Sequence, residues 1–238
     1  MRVRRTRRAV AAALAVAVIG LAGTACSQDS PTAAAQPAVE SADHTAVLAE
    51  LPASVDGPRI VVGQPEAPHT VTVFVDPRCS YCAKFEAAAG KVLAEQAAAG
   101  KVRVEYVIAS FLDARTGGTA SARAANALRA SAEAGPGAFA TYQATLFASQ
   151  PSGESKDGYS VDHLLGIADR VPGLRGAAFD KAVREDAYKD WVASSEKAFE
   201  DAGVGGTPTV LVDGRPLPAG NGLYDAARFS EALRDAGV

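Results

Sequence analysis

Two short stretches of the chain alternate strictly between apolar and polar positions, and they organise everything around them. In "TVTVFVD" (70–76) threonines alternate with valine and phenylalanine, and in "KVRVEYVIAS" (101–110) valines alternate with arginine and glutamate. Period-two alternation of β-branched and aromatic residues predicts strands with one buried face. Between them Phe85, Ala89, Val92, Leu93 and Gln96 recur at helical spacing, and Gly100 supplies a C-terminal stop. Gly90 inside this helix costs about 1 kcal/mol relative to alanine, so a bend is expected there. Strand, helix and strand with so short a crossover predict a right-handed βαβ unit with parallel strands.

Upstream, "RIVVG" predicts a short strand that opens the globular part near Arg59. Downstream, 111–206 carries no strand pattern and reads as helical throughout. Helices are expected over 119–133, over 138–149 (Phe139, Tyr142 and Leu146 on one face) and over 161–170 after Ser160 as N-cap. A long one is expected over 179–202, where Phe179, Val183, Ala187 and Trp191 recur at fourfold spacing. The chain returns to strand at "TPTVLVDG", makes a turn and short edge strand at "RPLPAG", and ends in a helix over 224–236. No internal repeat is visible. This predicts an α/β domain at 58–238 with a helical insertion at 111–206.

Composition changes the picture mainly at the N-terminus. A hydrophobic fraction of 48% fits a packed core rather than a disordered chain. The formal charge of −3 hides an asymmetry. Residues 1–26 hold five arginines and no acid, which leaves nineteen basic residues against 27 acidic ones elsewhere. That balance argues against nucleic acid as a partner. "MRVRRTRR" followed by the apolar run "AVAAALAVAVIGLA" reads as an export signal, the run being shorter than the roughly 20 residues needed to span a bilayer. "GTAC" then resembles a lipobox with Cys26 as the acylated residue, although Gly23 stands where leucine is usual. Cleavage by an ordinary signal peptidase after Ala25 or within "PTAAAQPA" is the alternative. Residues 27–57, rich in Ala, Ser, Pro and acids, read as a flexible tether with a short helix around His44–Leu51. The protein is therefore expected outside the cytoplasm, where disulfides persist.

The chain has three cysteines. Cys79 and Cys82, in "FVDPRCSYCAKFE", sit where a strand ends and a helix begins. Unpaired N–H groups and the helix dipole there favour a thiolate on Cys79, and the adjacent Arg78 adds positive charge. Cys82, one turn deeper, should be more buried, which suits an attacking thiol and a resolving one. A zinc site wants four ligands, and His44, His69 and His163 are scattered without ligand spacing. A structural bridge across so short a loop removes little unfolded-state entropy. Redox exchange is the better reading of the pair, and no metal or cofactor is expected.

With "GVGGTPTVLVDG" far downstream, the cysteine motif resembles the DsbA-like thiol–disulfide oxidoreductases of the thioredoxin superfamily. The resemblance covers roughly 58–238 and implies a thioredoxin fold with an inserted α-helical domain. It implies that Cys79 is the nucleophile and Cys82 the resolving thiol. It further implies that Pro208 is a cis proline packed against the disulfide, and that the Thr207 backbone pairs with an extended substrate. Tyr81 is a candidate wall of that groove, with Phe85 and Trp191 as core or groove residues. Asp76 either caps a turn or relays protons near Cys82, and Glu86 is expected on a solvated helix face. Thioredoxin carries a buried acid six residues before its first cysteine; here that place is Val73.

The expected activity is oxidation of cysteine pairs in exported proteins, with reoxidation by a membrane quinone-linked partner that the family implies. Ser80-Tyr81 between the cysteines, with threonine before the proline, also resembles the isomerase branch, so isomerase or reductase remains the alternative. Two other classes stay open: a peptide-binding module with an inert disulfide, and a copper(I) metallochaperone using the soft thiolates.

Overall fold

The computed structural model describes residues 38–151 and 158–238. The expected export signal, Cys26 and the first part of the expected tether lie outside them. Among the described residues no helix is long and apolar enough to cross a membrane.

The two alternating stretches form the centre of a six-stranded sheet. Strand β3 (His69–Val75) pairs in parallel with β4 (Val102–Ile108), in register from His69 opposite Val102 to Val75 opposite Ile108. On β3's other side lies β5 (Thr209–Val212), antiparallel, followed by the edge strand β6 (Arg215–Pro216). Beyond β4 lies a hairpin of β1 (Ala53–Asp56) and β2 (Arg59–Val62), giving the order β1-β2-β4-β3-β5-β6. The portion β4-β3-β5-β6, parallel once and then antiparallel, is the thioredoxin arrangement. Period-two alternation sorts the side chains between two layers. Val71, Val73, Val75, Val104 and Ile108 enter the main core, while Phe74 and Val107 meet Phe199 on the opposite face.

The helix after β3 is continuous but not uniform. It starts as α2 (Ser80–Phe85), widens into a π-turn (Glu86–Gly90) and continues as α3 (Lys91–Ala98). The irregularity expected at Gly90 is a π-turn that ends on that residue. A Cβ on Gly90 would stand 2.8 Å from Glu86 Oε1, so the glycine leaves room for that carboxylate to lie against the helix where it does.

The segment expected as a tether up to residue 57 is corrected from Ala38 onward. Helix α1 (Ala38–Glu50) and strand β1 belong to the globular unit, and Leu48 and Leu51 are buried in the main core. Gly137 N–H donates to the Leu51 carbonyl at 2.8 Å, with Gly137 at φ +74° and α1 so close that any Cβ would fall 2.2 Å from Ala49 O.

Between β4 and β5 the described residues form six helices: α4 (Phe111–Thr116), α5 (Ala120–Ser131), α6 (Ala138–Ala148), α7 (Val161–Ala168), α8 (Ala177–Arg184) and α9 (Lys189–Asp201). Ser160 caps α7, its Oγ accepting from His163 N at 3.2 Å. The single long helix expected over 179–202 is two helices, broken at Asp186 with φ +49°. Asn126, buried in α5, holds the break open. Its Nδ2 donates to Ala182 O at 3.0 Å and its Oδ1 accepts from Tyr188 N at 2.8 Å, so backbone groups freed by the break are satisfied. A short 3₁₀ turn (Gly220–Tyr224) leads into α10 (Ala226–Asp235), capped by Asp225 and packed through Phe229 against Phe85.

Candidate active site

The end of β3 and the start of α2 are joined by a tight turn that Asp76 shapes. Asp76 O accepts from Cys79 N at 3.0 Å, and Asp76 Oδ1 accepts from Arg78 N at 2.9 Å. Cys79 takes the N-cap position with extended backbone (φ −69°, ψ 115°), and its carbonyl receives Cys82 N at 3.0 Å and Ala83 N at 3.2 Å. Both cysteines are free thiols. Both are buried, but Cys79 keeps 7% of its surface exposed and Cys82 none, so Cys82 is the more recessed of the two.

The electrostatics divide the pair. The Cys82 thiol beside Cys79, the Thr207 side chain and the backbone N–H groups of Cys82 and Tyr81 bring Cys79 down to about 6, against the opposing effect of burial. Burial, then the neighbouring Cys79, pushes Cys82 well above the usual thiol range. Thr207 arrives from the far end of the chain. Its carbonyl accepts the Cys79 thiol at 3.3 Å, and its buried hydroxyl has no tighter hydrogen-bond partner than the sulfurs it faces. The Thr207–Pro208 peptide bond is cis.

Arg78 does not act as the cationic neighbour that its position in sequence suggests. Its side chain turns away into the helical layer and is buried. There Nη1 donates to Asp113 Oδ1 at 2.9 Å and to Gly117 O at 3.1 Å, while Nη2 donates to Thr116 Oγ1 at 2.6 Å. Asp113 in turn caps α5, accepting Ser121 N and Ala122 N at 2.9 Å each. Arg78 therefore fastens the cysteine loop to α4 and α5.

Asp76 is also aimed away from the sulfurs. Besides Arg78 N, its fully buried carboxylate accepts Ser121 Oγ at 2.7 Å and Leu112 N at 3.1 Å. It is the Asp76 backbone N–H, not the carboxylate, that faces Cys82. Burial pushes the carboxyl up to about 7 even with three donors around it.

Tyr81 is the one large apolar side chain well exposed among the described residues, at 53%. Its ring tilts onto Tyr224 at 5.8 Å, with Lys84 Nζ 4.7 Å above it. Phe85 lies in the core. Trp191 is far from the cysteines and closes the β1–β2 hairpin, its Nε1 donating to Gly57 O at 2.8 Å. Glu86 is not on a solvated face. One helical turn beyond the buried Cys82, it points inward, half-buried, where it accepts Gln143 Nε2 at 3.3 Å, and burial pushes it up to about 7. Val73 is fully buried, with no acid in its place. His69 pairs with Asp213 at 2.9 Å, and His163 Nε2 meets Ser149 O at 3.3 Å. Among the described residues no three His, Cys, Asp or Glu side chains converge as metal ligands.

Two site residues carry no signal in the sequence. Gln150, just past α6, donates from Nε2 to Pro77 O at 2.7 Å and to Cys79 O at 3.0 Å. Tyr159, fully buried, donates to Pro77 O at 3.2 Å. No spacing rule marks either, because their role depends on how the insertion folds back over the cysteine loop.

A family model described as thioredoxin matches residues 56–234, most of the chain. The chain belongs to the thioredoxin family. No curated protein matches it. Among solved structures, BdbD from Bacillus subtilis in its oxidised form superposes with a TM-score of 0.64 at 20% identity, covering 79% of this chain and 97% of that one. The MdbA protein from Corynebacterium diphtheriae, described as a thiol-disulfide oxidoreductase, gives 0.62 at 20% identity over 77% of this chain and 93% of that one. Oxidised DsbA from Mycobacterium tuberculosis gives 0.55 at 22% identity over 79% and 100%. At this identity the likeness is one of fold: this family member has the DsbA-like architecture, a thioredoxin sheet with helices inserted between β4 and β5.

Proposed function

We propose that the protein is an extracytoplasmic thiol–disulfide oxidoreductase that oxidises cysteine pairs of exported proteins through a Cys79–Cys82 disulfide. The observation that carries this reading is the division of labour between the sulfurs: Cys79, the less buried and favoured as thiolate, lies beside Cys82, fully buried and held as thiol. A client thiolate attacks Cys79 Sγ of the disulfide. The Cys79–Cys82 bond breaks, Cys82 leaves and takes up a proton, and Cys79 is joined to the client. The client's second thiolate then attacks the client sulfur of that bond and releases Cys79 as a thiolate. The client loses two electrons and two protons, and the protein ends reduced. A low pKa makes Cys79 a good leaving group and stabilises the reduced form, which is the property of an oxidant.

Tyr81 and Tyr224 are proposed to flank an extended client, with Thr207 and Pro208 along its backbone. Reoxidation is assigned to a quinone-linked membrane partner. The arginine-rich start and apolar run support export, and acylation of Cys26 is the proposed anchor to the outer face of the membrane.

The equilibrium reduction potential of the Cys79–Cys82 pair in a glutathione buffer tests this. Above about −180 mV it supports the oxidase, and near −250 mV a reductase. Below about −300 mV the bond is structural and the proposal fails. Tyr81→Ala should slow oxidation of a dithiol peptide while leaving the potential in place; an unchanged rate removes Tyr81 from the groove.

A further inference from the structure

Besides the Asp76 and Arg78 anchors, the helical insertion reaches the reactive loop at the carbonyls of Pro77 and Cys79. Pro77 has no N–H, and its carbonyl points into the insertion, where it accepts both Gln150 Nε2 and Tyr159 OH. The same Gln150 nitrogen bridges to the carbonyl of Cys79. That carbonyl already accepts Cys82 N and Ala83 N, so it is the hinge on which the first turn of α2 hangs.

Resting on the functional reading above, we propose that Gln150 and Tyr159 are positioning residues for thiol–disulfide exchange at Cys79, acting through the carbonyls of Pro77 and Cys79. The donors that favour the Cys79 thiolate include the backbone N–H groups of Tyr81 and Cys82. Whether they converge on Sγ depends on the ψ angle of Cys79, and ψ is set by where its carbonyl is held. Gln150 holds it by a hydrogen bond that comes from outside the helix. The same amide also donates to the Pro77 carbonyl, so one side chain ties the two ends of the Pro77–Cys79 turn together. Tyr159 supplies a second, independent donor to Pro77, so the loop is gripped from both the end of α6 and the approach to α7. The insertion therefore sets the chemistry of a sulfur it does not touch.

The test is to titrate Cys79 and measure the glutathione equilibrium in Gln150→Leu, Tyr159→Phe and the double variant, each first shown to be folded by circular dichroism. Gln150→Leu should raise the Cys79 midpoint by about half to one pH unit, the size of one hydrogen bond. It should lower the equilibrium constant with glutathione roughly three- to tenfold, or about 15–30 mV at 29.6 mV per tenfold. Tyr159→Phe should shift both in the same direction by less, because Gln150 still serves Pro77, and the double variant should exceed either. Folded variants with the wild-type midpoint and potential would overturn the inference, whatever their melting temperature. Should Gln150→Leu not fold, Tyr159→Phe, which removes one oxygen atom, decides alone. A wild-type disulfide that glutathione cannot open overturns the functional reading instead; a working wild type with unmoved variants overturns only this one.

Discussion

The sulfur of Cys79 lies 3.3 Å from the carbonyl oxygen of Thr207, 128 positions further along the chain. The Thr207 hydroxyl is buried beside the same sulfur and favours its thiolate. Alkylation of the reduced protein by iodoacetamide should therefore follow a single ionisation with its midpoint near 6. Cys82 should stay silent far into the alkaline range. Thr207→Val, which keeps the shape and removes the hydroxyl, should move the midpoint upward. A wild-type midpoint near 8.5, the value of a free cysteine, would contradict the site as described.

Stability should depend on pH differently in the two redox states. Asp76 and Glu86 are both pushed up to about 7 by burial. Carboxyls raised in the folded state add stability that is fully present below about pH 4 and is lost as pH rises through about 7. Cys79 is depressed, so its thiolate adds stability that is present above about pH 8.5 and lost as pH falls through about 6, in the reduced protein only. Melting temperatures of the oxidised protein should fall between pH 5 and pH 8, and the reduced protein should gain on it over the same span. Glu86→Gln should flatten the fall. Parallel profiles for the two redox states would refute the assignment of Cys79.

Arg78→Ala should be costly to the fold. It strands Asp113, only 14% exposed at its side chain, in a layer where Arg78 also satisfies Gly117 O and Thr116. Loss of one partner of a buried pair costs about 3–5 kcal/mol, readable as a lower urea midpoint. Arg78→Lys should recover little, because one ammonium cannot reach the same three acceptors in a fork.

Gly137→Ala tests whether α1 belongs to the domain. The new Cβ would lie 2.2 Å from Ala49 O at a φ of +74°, so α1 must move. A loss of about 2–4 kcal/mol is expected from overpacking and left-handed strain together. Limited proteolysis should then cut ahead of β1 first. An unchanged melting temperature and digestion pattern would place α1 outside the stable unit.

The parts of the fold readable in the sequence are those fixed by local pattern. Strands β3 and β4 alternate strictly, Gly100 stops the helix between them, and Ser160 sits at the N-cap of α7. Strand β1 left a weaker trace, the Gly57-Pro58 turn between Asp56 and Arg59, preceded by residues too small to look like a strand. What could not be read depends on partners distant in sequence. The break between α8 and α9 relies on Asn126 from α5. Glu86 follows the buried Cys82 by one helical turn, so spacing allowed it to point inward, but only Gln143, far along the chain, gives that carboxyl a partner there. At the site, the cysteines announce themselves by spacing, whereas the direction of the Arg78 and Asp76 side chains is set by Asp113, Ser121 and Leu112, which no local rule connects to them.

The sheet order has a consequence for when the protein becomes competent. Strand β3 sits between β4 and β5, and β5 carries Thr207 to the sulfurs only after the whole insertion has been made. A chain growing from its N-terminus thus displays both thiols long before the residue that covers them exists. Until β5 pairs, the Thr207 carbonyl that meets the Cys79 sulfur is not in place. The completed protein differs from its own first half less in what it contains than in what it keeps covered.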